Sequence, residues 1–179
     1  DGRLLLVWSE YYTEEGWDSS PARISAMLSA DGGRTWSGKH IIEEQPGRNV
    51  MSASLLRADD GDLLLVYYEH VGGQNRMSLR RSPDDGRTWG RPAPVTPEDG
   101  FGSPTHIANN ARLVRLSSGR ILLPVRAYLE GRRHSYCCWS DDDGHTWEHG
   151  ELVPALDIPP QQRDAFLQNF NEPGVVELR

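Results

Sequence analysis

Three aspartates, Asp31, Asp84 and Asp142, occupy the same place in three copies of one eight-residue pattern, S-x-D-x-G-x-T-W. The copies are Ser29–Trp36, Ser82–Trp89 and Ser140–Trp147, with starts 53 and 58 residues apart. Carboxylates at regular spacing could hold a metal or move protons. A residue repeated with its whole surroundings belongs first to the scaffold, however. In a turn, an Asp side chain accepts backbone N–H bonds and Gly permits a positive φ. The chemistry is therefore sought among polar residues that do not repeat. These are Asp18 in Glu15-Gly16-Trp17-Asp18-Ser19-Ser20-Pro21, the pair Arg132 and Arg133, the group His106, Asn109 and Asn110, and Glu172 in Asn171-Glu172-Pro173-Gly174. Carboxylates serve as general acids and bases. Guanidinium groups clasp anions through two parallel hydrogen bonds.

A second element repeats in phase with the first. Asp60-Gly61-Asp62-Leu63-Leu64-Leu65-Val66-Tyr67 matches Ser118-Gly119-Arg120-Ile121-Leu122-Leu123-Pro124-Val125, and both match residues 1–8. An apolar run precedes each internal copy, so run, Gly turn and run read as a hairpin. The unit is strand A, Gly turn, strand B, loop, strand C, Asp turn and strand D. A repeat of this length points to an all-β propeller. Blade one is incomplete over 1–43, with strands at 3–9, 22–29 and 39–43. Blade two covers 50–96, with strands at 50–57, 62–69, 76–82 and 92–96. Blade three covers 110–154, with strands at 110–116, 120–128, 134–140 and 151–154. Residues 172–179 begin a fourth, and 161–168 could form one turn of helix. Antiparallel order puts all Asp turns on one rim and the B–C and D–A connections on the other. The latter vary in length (10–21, 69–75 and 129–133; 44–49, 97–109 and 155–171), and variable loops on a repeated scaffold carry function. Truncating a tryptophan of the pattern is expected to cost about 3–5 kcal/mol if its ring is buried between sheets.

The net charge of −7 and the lack of a basic block disfavour a polyanion such as nucleic acid as partner. No apolar run is long enough to span a bilayer. Cys137 and Cys138 are adjacent, which gives no disulfide framework, and no cluster of His and Cys suggests a metal, so no cofactor is expected. The chain lacks an initiator Met and reads as part of a longer protein; nothing in it fixes a compartment.

The Asp turns at blade spacing resemble those of bacterial-type exo-sialidases and the wider sialidase-like BNR (Asp-box) propellers. The resemblance covers Ser29–Trp147. It implies six blades in the parent, within the usual range for propellers, about three of them here, with a glycan bound in a central funnel. In that family an acid/base Asp stands eleven residues before the Ser of the first Asp box, which is Asp18 here. A Glu ahead of a V-V-E-L strand activates a Tyr nucleophile, a known exception to the use of two carboxylates. That role falls on Glu172, while Glu177 reads as a strand-exposed carboxylate. Ser52 and Asn110 both lie nine residues before a turn glycine and begin a strand A, as Glu172 does, which makes Glu172 and Asn110 inner-rim residues. Asn110 would contact sugar hydroxyls, and Arg132 and Arg133, on a loop of the same rim, would touch ligand. The three arginines that hold the substrate carboxylate, and the Tyr itself, fall outside positions 1–179. The implied activity is release of terminal sialic acid from glycoconjugates. A glycan-binding propeller without catalysis and a glycosidase of other specificity remain open.

Overall fold

The computed structural model describes residues 2–14, 16, 20–97, 100–154 and 172–178. As expected, the fold is all-β. Strands β1 (Leu4–Tyr11), β2 (Ala22–Ser29) and β3 (Ser37–Glu44) make one sheet; β4 (Met51–Arg57), β5 (Leu63–Val71), β6 (Gln74–Ser82) and β7 (Ala93–Pro94) make the second. In the third, β8 (His106–Ile107) and β9 (Val114–Arg115) both pair with β10 (Ile121–Leu129), followed by β11 (Arg132–Ser140) and β12 (Glu148–His149). Strand neighbours within each sheet are antiparallel. A 3-10 turn at Gly100–Gly102 is the only helical element among the described residues.

Strand β5 explains how the sheets stack. Its run Leu63–Glu69 is buried on both faces, because side chains of a strand alternate between faces and both faces are covered. Leu65 and Tyr67 pack with Ile24, Val50 and Ala53 toward the first sheet. Leu64, Val66 and Tyr68 pack with Ile121, Leu123, Val125 and Tyr136 of the third. The middle sheet is thus filled from both sides, whereas Leu4 and Leu6 on β1 are exposed.

The Asp boxes lock their own turns and then join neighbouring sheets. Asp31 accepts the N–H groups of Arg34 and Thr35 at 2.9 Å each and the Thr35 hydroxyl at 2.6 Å, and Ser29 donates to it at 2.8 Å. Asp84 and Asp142 accept from Thr88 and Thr146 in the same way. Each serine also accepts the N–H of the box glycine, Gly33, Gly86 or Gly144, at 2.8 Å. A Cβ added to Gly86 would lie 2.7 Å from Leu5 Cδ2 of the preceding sheet, and one on Gly144 would lie 2.9 Å from Leu64 Cδ1. Leu5 and Leu64 hold the same repeat position, so one leucine per sheet fills the space of the next sheet's missing side chain. The residue before each of these glycines, Asp85 and Asp143, is left-handed and bonds to the preceding sheet. Asp143 accepts the N–H of Asp59 and pairs with Arg115; Asp85 pairs with Arg57 and Arg3. The tryptophans Trp36, Trp89 and Trp147 are half-buried, which reduces the expected cost of truncating them.

Three connections differ from the sequence reading. The B–C links of the second and third sheets are two-residue turns, not long loops. Gly72–Gly73 has φ of 60° and 84°, and Glu130–Gly131 has 48° and 76°, the pair of positive angles that matches the twist of a tight hairpin. Arg132 and Arg133 therefore lie in β11 and not in a loop. The third strand A is split: Ile107 pairs with Arg126 and Val114 with Leu122, where Met51 pairs with Tyr68 and Leu56 with Leu64. The third sheet carries two more residues between these pairs. Its backbone turns instead to the second sheet, where the Ala111 N–H donates to Ala53 O at 3.1 Å and the Leu113 N–H to Ser54 Oγ at 2.9 Å. The last strand D sits at Glu148–His149 and not at 151–154, although Gly150 and Val153 still bond to β11. The expected helical turn at 161–168 lies outside the described residues.

Two outcomes are expected. Gly144→Ala should destabilise more than Gly33→Ala in denaturant unfolding. Both variants force Ala into a left-handed backbone, costing about 1–2 kcal/mol, but only Gly144 meets a fully buried leucine with no room to move, adding about 1–3 kcal/mol of overpacking. The Thr and Ser hydrogen bonds hold the Asp31 and Asp142 carboxyls at about 2. A depressed folded-state value means that this stabilisation is complete above the ordinary carboxyl range and is lost as pH falls from about 4 toward 2. Asp31→Asn should flatten that part of the stability–pH curve measured by thermal unfolding.

Candidate functional site

The rim opposite the Asp boxes is where β5 and β10 end, β6 and β11 begin, and each strand A starts. A cleft of about 610 Å³ opens there, lined by Arg48, Asn49 and Met51 ahead of and at the start of β4, Tyr68 and His70 on β5, and Asn75 on β6. Ile107 on β8, Arg126 on β10, Arg133 on β11, and Glu172 complete it. Three guanidiniums thus share one hollow with one carboxylate, in a chain of net charge −7.

The backbone around the cleft is fixed. Arg48 O accepts the Ala22 N–H and Val50 N–H donates to Ala22 O, both at 3.0 Å, so the segment before β4 is held to β2. Asn49 Nδ2 donates to Ser20 O at 2.6 Å, and its buried Oδ1 has no hydrogen-bond partner among the described residues. Asn75 anchors the opposite wall: its N–H donates to Pro104 O at 2.9 Å, its Nδ2 to Thr105 Oγ1 at 3.3 Å, and its Oδ1 lies 2.7 Å from His70 Nδ1. Burial pushes the Tyr68 phenol up, against the opposing charge of Arg126, so the hydroxyl stays protonated at neutral pH. Burial pulls the Arg126 guanidinium down, the neighbouring charge of Arg133 adds to that, and Glu172 and Tyr68 oppose it.

The structure brings together Glu172 and Arg133 of the residues expected from sequence. Arg132 is exposed and does not line the cleft; alternation along β11 directs it to the face opposite Arg133. Asn110 is also exposed, and it lines a different hollow of about 650 Å³ beside β1. Its displacement follows from the extra residues in the third strand A. A left-handed φ recurs at Ser52 (62°), Ala111 (54°) and Glu172 (52°), so Ala111 and not Asn110 shares the backbone conformation of the other two; no strand forms over the described residues 172–178, where a fourth strand A was expected. His106 is buried and bonded through Nδ1 to the Tyr136 hydroxyl at 2.7 Å. Glu177 accepts the Ser117 N–H and hydroxyl at 2.8 and 2.7 Å, a contact between successive units that keeps it from the cleft. Asp18 lies outside the described residues. Sequence reasoning missed Arg48, Arg126, Tyr68 and His70. A signal for Arg126 was present, because a charged residue interrupts the apolar run Ile121-Leu122-Leu123-Pro124-Val125 just where the aligned units carry Ser9 and Tyr68.

A family model described as "BNR repeat-like domain" matches residues 2–171. The Homo sapiens protein Sialidase-4 is 34% identical over 157 residues, covering 71% of this chain and 32% of that protein. The Sialidase of Paraclostridium sordellii is 25% identical over 183 residues, covering 84% of this chain and 44% of that protein. The chain therefore spans less than half the length of these relatives. Among solved structures, the Hadza microbial sialidase Hz136 superposes with a TM-score of 0.71 at 17% identity, over 86% of this chain and 35% of that one, a likeness of fold.

Proposed function

The chain belongs to the BNR repeat-like domain family, and from that premise we propose that it forms part of a retaining exo-α-sialidase that releases terminal sialic acid from glycoconjugates. The observation that carries this reading is the placement of Glu172 in an arginine-rich cleft on the rim opposite the Asp boxes. An anionic sugar is drawn to such a surface, since fixed positive charge in a concave site raises the local concentration of an anion. In this reading Glu172 takes the proton from a tyrosine supplied by the rest of the propeller. The tyrosine attacks the anomeric carbon, where a carboxylate would be repelled by the substrate's own carboxylate. Asp18 gives its proton to the departing oxygen and then takes one from water.

In a full-length protein carrying these residues, Glu172→Gln and Asp18→Asn should each lower turnover of a fluorogenic sialoside by about 10²–10⁴-fold, with the circular dichroism of the folded protein retained. Undiminished turnover in either variant removes that residue from the mechanism. Tight binding of sialosides by the parent protein without any hydrolysis would replace the enzyme with a glycan-binding propeller.

A further inference from the structure

The two ends of the chain carry the two halves of a joint that the chain makes twice within itself. Inside it, strand B of one sheet presents a leucine to the box glycine of the next: Leu5 to Gly86 and Leu64 to Gly144. Leu122 holds the same position on β10, and no later sheet among the described residues offers it a box glycine. Gly33 is the first box glycine, and a Cβ there would meet only Leu4 and Trp36 of its own sheet. A knob without a hole stands at one end, and a hole without a knob at the other.

Faces and edges match in the same sense. Leu63 and Leu65 on β5 are 8% and 0% exposed on the face over which the first sheet packs, whereas Leu4 and Leu6, their counterparts on β1, are 44% and 43% exposed. Among the described residues β1 pairs only with β2, so the N–H and C=O groups along its other edge are open to a further strand. At the opposite end, residues 174–178 have no strand partner, and Val176 and Leu178 are exposed. Val176 stands four residues after the left-handed Glu172, as Leu56 does after Ser52. Leu56 pairs with Leu64, whose place on β1 is taken by Leu5.

The charges have changed together. Arg57 and Arg115, at the end of strand A, pair with Asp85 and Asp143, the residue before the box glycine of the same sheet. At the next such position Glu177 replaces the arginine, and of the three boxes the first alone has glycine, Gly32, in place of that aspartate. A strand ending in Glu177 fits beside the first box, because no carboxylate stands there to repel it. Glu177 also takes over the role of Asp143 at the joint: it accepts the Ser117 N–H, as Asp143 accepts the N–H of Asp59, the residue in the place of Ser117.

We propose that these surfaces join two copies of the chain head to tail. Residues 174–178 of one copy add to β1 of the second as its strand A, and Leu122 of the first fills the space at Gly33 of the second. A surface complementary to the opposite end of the same molecule builds a ring when the rotation closes. Each copy brings three sheets, and propellers have about four to eight blades, so two copies with six sheets are the number that closes. The inference is independent of the reading of the cleft, and its test reads mass and not turnover.

Sedimentation equilibrium of the 179-residue chain should show a species of twice the chain mass that dissociates on dilution. Leu6→Lys and Val176→Lys change residues exposed in the single copy. Each should keep the fold by circular dichroism and leave only single copies, since a charge on an edge blocks strand addition. Mixing the two variants should recover a two-copy species, because one of the two joints then has both halves intact. Val71→Lys, an exposed change at the end of β5 and away from both end faces, should leave the mass unchanged. Gly32→Asp should weaken association by about 3-fold or more, and adding Glu177→Arg should recover it by recreating the pair seen between Arg115 and Asp143. Single-copy mass at every concentration, two-copy mass lost in Leu6→Lys but kept in Val176→Lys, or assemblies of more than two copies would overturn the proposal.

Discussion

One steric fit organises this chain: a leucine from each sheet occupies the space left by the Cβ-less glycine in the next sheet's Asp box. Leu5 meets Gly86 and Leu64 meets Gly144. Because interiors pack at crystal-like density, a contact of this kind admits little rotation of one sheet against the next. The box aspartates and serines hold the glycine in its turn, and across the joint of the second and third sheets Asp143 accepts the Asp59 N–H while Arg115 pairs with Asp59. With the Asp-box rim fixed in this way, the far ends of the B and C strands gather at the opposite rim, where the cleft forms.

Buried polar groups show the same division between scaffold and site. On β1 and β2, Glu10 accepts from Arg23 at 2.9 Å and from Ser25, and pairs with Lys39. On β5 and β6, Glu69 repeats the arrangement with Arg76 and Ser78, and Gln45 joins it. The third sheet replaces the trio with Ala127, His134 and Tyr136, and Tyr136 packs edge-on against Phe101. Glu69 is buried and Glu10 half-buried; a carboxylate withdrawn from water needs its partners in place, so the first two sheets keep the set together and the third drops it together. The third sheet is also the one that turns arginines into the cleft. Its departures from the repeat are concerted.

Much of the fold was legible because the repeat is written in turn chemistry. S-x-D-x-G-x-T-W located the C–D turns, the Gly dipeptides located the A–B hairpins, and strands β1, β2, β4, β5 and β6 lie within a residue or two of their expected bounds. What sequence could not supply was the length of a hairpin and the path of a strand. Glu130–Gly131 looked like part of a loop, yet its two left-handed residues make a tight turn that places Arg133 in a ladder. Asn110 looked equivalent to Glu172, but the third strand A bonds to Ala53 and Ser54 of its neighbour and shifts the register. Arg48, Arg126 and Tyr68 come from three separate segments, and only packing of the second sheet on the third brings them to one wall.

The central claim is that ligand binds at the rim formed by the B–C turns and strand A starts. Backbone amide shift mapping of the isotopically labelled chain during titration with an anionic sugar tests it most directly. The account predicts perturbations confined to residues 48–51, 68–75, 126–133 and the neighbourhood of Glu172. Perturbations centred on 29–36, 82–89 and 140–147, with that rim unmoved, would contradict it.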